Sequence, residues 1–446
     1  MKAVVDIETD DLNPTVVHCV VAKDIDTGKV YPFPPDMLHG FRDWSHGVDQ
    51  FIMHNGLSFD APMCNKFLGT NIKPNQVTDT LILSQLFNPI REGIKPHSLG
   101  TWGDRLGMPK GSVESYKVYT PETLEYCKKD VAITHKLYQV LQQEGKNFSS
   151  FSIDLEHKIR VILDQQQHNG FALDLQKTMC LYNKLKDEAY GLEKWGKTHF
   201  DPTAIELKTK TKYIPFNIGS RQQIANRLIE LGWKPKRHTD KGNVIVSEEV
   251  LDSLNIPEAK KFSRFLLLQK RIAQIKSWIE ACNDKDSRVH GEVSTLRTIT
   301  GRMAHAKPNM AQVPAVRSPY GKECRDCWTI DNPYTHSIVG TDASGLELRC
   351  LAHLMNDKNF IEEVTVGDIH TANMKRAGLS NRDQAKTFIY AFLYGAGTTK
   401  IGKILKVSQK EGEKIVQSFL KSMPAFRTLQ NNVTLASSKG FIKGID

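Results

Sequence analysis

The sequence is poor in the features that would place a chain in a membrane or an oxidising compartment. No apolar run approaches the roughly 20 residues needed to cross a bilayer. Asp6, Glu8, Asp10 and Asp11 stand where a secretory signal would need an apolar core. The eight cysteines are scattered, and the close pair Cys324 and Cys327 has no second CxxC or nearby His pair to complete a zinc site, so reduced thiols are expected. Internal repeats and low-complexity tracts are also missing. A cytoplasmic protein with no membrane partner is expected. Acidic residues are the minority charge, 50 against 60 Lys and Arg, and the resulting net charge of +10 favours a polyanionic partner, nucleic acid first. At 446 residues the chain should form two or three domains.

Up to about residue 145 the pattern is α/β, with an apolar strand at Ala3 to Ile7, a second at Val16 to Ala22 and helical periodicity around Pro121 to Gln143. From Asp154 to Cys282 it turns mostly helical, and Phe262, Phe265, Leu266, Ile272, Ile275 and Ile279 form a stripe at helical period. Lys208, Lys210, Lys212, Lys234, Lys236 and Arg237 crowd loop-like stretches that suit either solvent or phosphate. After His290 come Gly, Thr, Arg and Pro, then an apolar strand at Ser337 to Thr341 and two helices. The expected divisions are 1–145, 146–290 and 291–446.

Asp6 and Glu8 stand two apart at the end of the first strand, so both side chains leave the same face. Two such close carboxylates repel unless a cation lies between them, and Mg²⁺, with Mn²⁺ as a substitute, prefers oxygen ligands of this kind. Two further acids fit the same purpose: Asp60 in HNGLSFDAPM, and Asp130, one helical turn beyond Tyr126 in YCKKD. Four carboxylates suit two ions about 4 Å apart, one activating water and the other stabilising a leaving oxygen. Taken alone, the DxE pair reads first as an ordinary solvated turn.

DIETD, HNGLSFD and YCKKD, in that order, resemble the proofreading 3′–5′ exonuclease domains of ribonuclease H-like α/β fold. The resemblance implies Asp6, Glu8, Asp60 and Asp130 as metal ligands, Tyr126 as the residue that orients water, and Asn55 as a contact near the scissile end of single-stranded DNA. Asp79 also resembles a recurring position, and helix capping explains it equally well.

The run NRDQAKTFIYAFLYGAG places Arg382, Lys386, Tyr390 and Tyr394 at four-residue intervals, with Asn381 as N-cap and Gly395 as stop. Two cations suit a triphosphate and an aromatic edge suits a sugar or base. The same helix also reads as amphipathic, with Phe388, Ile389, Phe392 and Leu393 filling a core. Further upstream, VGTDASGLELR puts Asp342 at a turn and Glu347 in the helix after it.

TITGRMAHAKPNMAQVP, TDASGLELR, GDIHT and RDQAKTFIYAFLYGAG, in that order, resemble the family A DNA polymerases, and their phage replicative branch in particular. The resemblance implies a helical thumb and a partial palm and fingers of α+β type after the exonuclease domain. It also implies proofreading DNA synthesis from dNTPs on primer-template DNA, by two-metal phosphoryl transfer at both sites. Asp342 would bind the catalytic metals, and Arg382, Lys386 and His370 would hold the triphosphate. Tyr390 would pack on the ribose, Tyr394 would guard the templating position, and Glu347 would exclude a 2′-hydroxyl. Arg302, Asn309 and Gln312 would touch the duplex.

Two departures qualify this reading. The family's HDE motif, which carries the second metal aspartate, does not occur, and the chain ends at IKGID inside what resembles the GxDGR segment. Little synthesis by this chain alone is therefore expected, with the remaining palm either missing from the record or supplied by a separate C-terminal fragment. A stand-alone exonuclease and a DNA-binding subunit are the alternatives. DPTAIELKTKTKYIPF also leaves no room for a thioredoxin-binding insertion, so thioredoxin is not expected as a partner.

Overall fold

The computed structural model describes residues 1–446 except 208, 209, 299, 333 and 441–446. The IKGID segment that resembles GxDGR lies outside the described residues. The chain divides into two compact units, Met1–Ser337 and Ile338–Asp446.

β1 (Lys2–Thr9) is apolar through Ala3, Val4, Val5 and Ile7, with no polar alternation at its start. A strand of that kind must be covered on both faces, and β1 lies at the centre of a five-stranded sheet of order β3-β2-β1-β4-β5. β2 (Val17–Asp24) pairs with it antiparallel and β3 (Val30–Phe33) antiparallel with β2, whereas β4 (Gln50–Met53) and β5 (Val77–Asp79) continue the other side in parallel. Ala3, Val5 and Ile7 enter one core with Phe41 of α1 (Leu38–Ser45) and Ala61 of α2 (Asp60–Met63). Val4 enters the opposite core. That core is closed by Leu83 of α3 (Thr80–Phe87), Trp102 of α4 (Leu99–Arg105) and Cys127, Val131 and Leu137 of α5 (Pro121–Glu144). Asp6 and Glu8 share the Val4 face by period two, so the sheet presents them to α5.

α6 (Ser150–Asn169) leaves the segment up to residue 145 but stays bonded to it. The Asp79 N–H donates to His157 Nε2 at 2.9 Å, and Ser58 Oγ donates to Asp164 at 2.8 Å. The next core gathers α7 (Leu175–His199), α8 (Arg221–Glu230), α9 (Glu248–Asp252) and α10 (Pro257–Ala281), with Phe262, Phe265, Ile275 and Trp278 at its centre. Short sheets border it: β6 (Phe171–Ala172) with β9 (Cys282–Asn283) and β10 (Arg288–Val289), the hairpin β7 (Thr203–Leu207) and β8 (Lys210–Ile214), and β11 (Glu292–Ser294) with β12 (Ala304–Ala306). Lys210 and Lys212 therefore sit on a strand and not in a loop, while Lys234, Lys236 and Arg237 lie outside regular structure; Lys208 is outside the described residues. α11 (Gly321–Asp326) carries the buried Cys324.

The second unit corrects the sequence reading twice. The expected strand at Ser337 to Thr341 is irregular, with Ile338 70% and Val339 83% exposed. Among the described residues no strand lies in this unit to complete its ladder, and an apolar run without a partner cannot satisfy its own backbone. Among the described residues seven helices form where two were expected: α12 (Leu346–Met355), α13 (Lys358–Thr365), α14 (Ile369–Ala377), α15 (Arg382–Leu393), α16 (Thr398–Leu405), α17 (Gln409–Ser422) and α18 (Pro424–Ser437). Their core is built on Phe388, Ile389 and Phe419. Within 291–446 the described strands are β11 and β12, which belong to the first unit, and the described residues of the second unit are helical.

Candidate active sites

The sheet and α5 bring the four N-terminal carboxylates together. Asp6, Asp60 and Asp130 act on one another electrostatically, and Glu8 adds to the field at Asp6. Ligand atoms of Asp6, Glu8 and Cys127 lie within 4.8 Å of each other. Asp60 is held at the start of α2, where its Oδ1 accepts the Ile7 N–H of β1 at 3.3 Å. Asp130 reaches the site from α5, a turn beyond Tyr126 and beside Cys127, whose thiol donates toward Asp6 Oδ2 at 3.5 Å.

Burial pushes all four acids up; repulsion from neighbouring carboxylates adds to the rise at Asp6, Glu8 and Asp60, whereas at Asp130 the Lys110 ammonium opposes it. Glu8 rises to about 8 and Asp60 to about 7, and Asp6 and Asp130 also rise. Asp130 Oδ1 is buried with no hydrogen-bond partner. Four crowded acids and an orphaned oxygen are the environment that a divalent cation relieves, and an all-oxygen set fits Mg²⁺.

Asp79 has a supporting place here. It is the N-cap of α3, accepting the Leu81 N–H at 2.9 Å, and it also accepts the N–H groups of Asn55 at 2.9 Å and Leu57 at 3.2 Å. It thereby fastens the turn leading to Asp60. Asn55 is exposed on that turn at φ +64°, a left-handed conformation that Asn tolerates better than most residues. Sequence reasoning missed Lys110, whose ammonium is 2.6 Å from Asp130 Oδ2. No motif flags it, because a loop brings it in.

In the second unit α15 has both of the faces read from its sequence. Ala385, Phe388 and Ile389 are buried while Arg382 and Lys386 are exposed. Asn381 caps it, accepting from the N–H groups of Asp383 and Gln384 at 2.7 and 3.3 Å. Arg382 is forked onto Asp368, the N-cap of α14, at 2.9 and 3.2 Å. His370 follows on α14, its ring 6.3 Å from that of Tyr390, with Nδ1 buried and unpartnered. Burial, then Arg382 and Lys386, lowers its proton affinity, which places both cations within electrostatic reach of the imidazole.

Tyr394 lies just beyond α15, 66% exposed, and its hydroxyl donates to Glu347 at 3.2 Å. Burial raises Tyr390, with Glu347, Tyr394 and Asp342 adding to it, so these four groups form a second cluster. Asp342 is exposed in irregular chain ahead of α12, whose N-cap is Gly345.

Asn309 and Gln312 line a cavity of about 610 Å³ with Lys270, Arg271 and Gln274 of α10. The Gln274 amide donates to the Gln312 carbonyl at 2.6 Å. Arg302 sits in an exposed turn, its N–H donating to Thr298 at 2.8 Å.

A family model described as DNA polymerase family A matches residues 197–445. The DNA-directed DNA polymerases of Enterobacteria phage T3 and Escherichia phage T7 are 28% and 29% identical, each over 98% of this chain and 82% of the relative. Among solved structures, the POL domain of Pol1 from M. smegmatis, in complex with DNA primer-template and dNTP, superposes with a TM-score of 0.76. That match covers 99% of this chain and 76% of the other at 18% identity.

Proposed function

Because this chain belongs to DNA polymerase family A, we propose that it is a replicative DNA polymerase with a proofreading 3′–5′ exonuclease of ribonuclease H-like fold, acting on primer-template and single-stranded DNA with dNTPs. The observation that carries the exonuclease part is the convergence of Asp6, Glu8, Asp60 and Asp130 near the end of β1, with one carboxylate oxygen left unpaired. Divalent cations held by these four residues would supply the charge that activates water and stabilises the departing 3′ oxygen. Tyr126 would orient the water from α5, and Asn55 would meet the strand end at the exposed turn. The domain divisions 1–145, 146–290 and 291–446 are kept as exonuclease, thumb, and palm with fingers; the buried cores at Phe41 and at Phe388 lie within the first and the third, while the core at Phe262 continues past residue 290 to Cys324 and Cys327.

The polymerase part is supported by the two clusters around α15. Arg382, Lys386 and His370 would bind the triphosphate, whose charge must compete with Asp368 for Arg382. Lys386 is exposed and unburdened by burial, so it can meet the leaving pyrophosphate, where negative charge builds in phosphoryl transfer. Tyr390 would stack on the sugar, Glu347 would crowd its 2′ position, Tyr394 would cover the templating base and Asp342 would meet the metal. Asn309, Gln312 and Arg302 would follow the duplex, read through groups common to all base pairs.

Lys386→Ala is expected to cut labelled dNTP incorporation by about 100-fold or more while leaving Mg²⁺-dependent shortening of single-stranded DNA intact. Asp6→Ala with Glu8→Ala is expected to do the reverse. Equal loss of both activities in either variant would remove the proposed division of labour.

A further inference from the structure

Lys110 is a buried-site charge that none of the motifs explains. It stands between α4 and α5, with Nζ 2.6 Å from Asp130 Oδ2 and 4.8 Å from the centre of the Tyr126 ring. The Asp130 side chain is 3% exposed and that of Lys110 30%, so the lysine reaches a sealed carboxylate from the solvent side.

The loop that delivers it is fastened. The Met108 N–H donates to the Gly103 carbonyl of α4 at 2.8 Å. A Cβ on Gly103 would come within 2.7 Å of Met108 O and 3.4 Å of Lys110 N, so only glycine lets the loop press this closely on α4. On the other side, a Cβ at Gly111 would stand 3.6 Å from the Tyr126 ring.

The consequence for the two partners is directional. Lys110 occupies Asp130 Oδ2 and leaves Oδ1 unpaired. The same nitrogen faces the Tyr126 ring, 4.8 Å from its centre. We infer that Lys110 is a positioning residue of the proposed exonuclease: by gripping Asp130 Oδ2 while packed over the Tyr126 ring, it turns Asp130 Oδ1 toward the cation and keeps Tyr126 beside it. A lysine that acted only as a counter-charge would not orient the carboxylate.

The inference rests on the exonuclease reading, and the test separates the two. In the full chain, Lys110→Met should lower turnover on a single-stranded oligonucleotide about 10- to 100-fold, the range seen when a partner of a metal ligand is lost, with KM little changed. Half-saturating Mg²⁺ should stay level or fall, since removing a positive charge strengthens a cation site. The rise in melting temperature on replacing EDTA with Mg²⁺ should be larger than in wild type. Lys110→Arg should recover only part of the turnover, because the guanidinium cannot reproduce the two contacts of a single nitrogen.

Wild-type turnover in Lys110→Met, or a loss confined to KM, would overturn the positioning role alone. Where Lys110→Met does not fold, full wild-type turnover in Lys110→Arg reduces Lys110 to a counter-charge and overturns it equally. A wild-type chain that does not shorten single-stranded DNA removes the exonuclease reading and this inference with it.

Discussion

Glu188 shows what one half-exposed side chain contributes when it joins several segments. From α7 it accepts the Arg264 Nε–H of α10 at 2.6 Å and the hydroxyl proton of Tyr320, while the Arg264 guanidinium lies 4.7 Å from the Tyr320 ring centre. Hydrogen bonding from Arg264 does most to lower the Glu188 pKa, burial opposes it, and the Tyr320 hydroxyl adds a smaller lowering. A depressed carboxylate stabilises the fold above its unfolded pKa of about 4.3, and that contribution is lost as pH falls through the folded value. The pair is about a third exposed on each side, so screening holds the expected cost of Glu188→Gln to about 1 kcal/mol at pH 7. Urea unfolding at pH 7 and pH 3 should show that difference shrinking toward zero at the lower pH. A constant difference would mean packing, not charge, sets the cost.

At the scale of the element, α15 answers both descriptions its sequence allowed. A 3.6-residue period gives one helix two faces, and here one fills a core while the other carries cations. Asn381 sets where it begins, and its loss frees two N–H groups in the first turn. Asn381→Ala should cost about 1 kcal/mol in the stability of the second unit, read by hydrogen exchange of the α15 amides. It should also weaken dNTP binding, since Arg382 follows directly. The stretch at Ser337 to Thr341 teaches the opposite lesson. Its apolar residues favour a strand, but a strand is a property of two segments, and no described partner lies beside this one in its unit.

At the scale of the whole molecule, charge is the property that acts at a distance. A net charge of +10 spread over both units makes binding to nucleic acid a process of counterion release. Affinity for both single-stranded and primer-template DNA should fall at least about tenfold between 50 and 200 mM salt, equivalent to two or more neutralised phosphates. Fluorescence anisotropy at several salt concentrations measures the slope. A flat dependence would move the grip away from the basic residues. None of the helices among the described residues is long and apolar enough to cross a membrane.

The sequence alone determined what is encoded at short, fixed spacing. Asp6 and Glu8 share a face because strands repeat every two residues, Tyr126 and Asp130 because helices return every four, and Asn381 caps because an amide can bond two residues ahead. The order of such motifs was enough to reach the polymerase family. Only the tertiary structure decided what depends on chain path through space: Lys110 against Asp130, Arg382 forked onto Asp368, Cys127 beside Asp6, and Asp79 bracing the turn before Asp60. The reason is physical. Side chains within one element are related by the geometry of that element, whereas partners on different elements meet through packing, which leaves no fixed interval in the sequence.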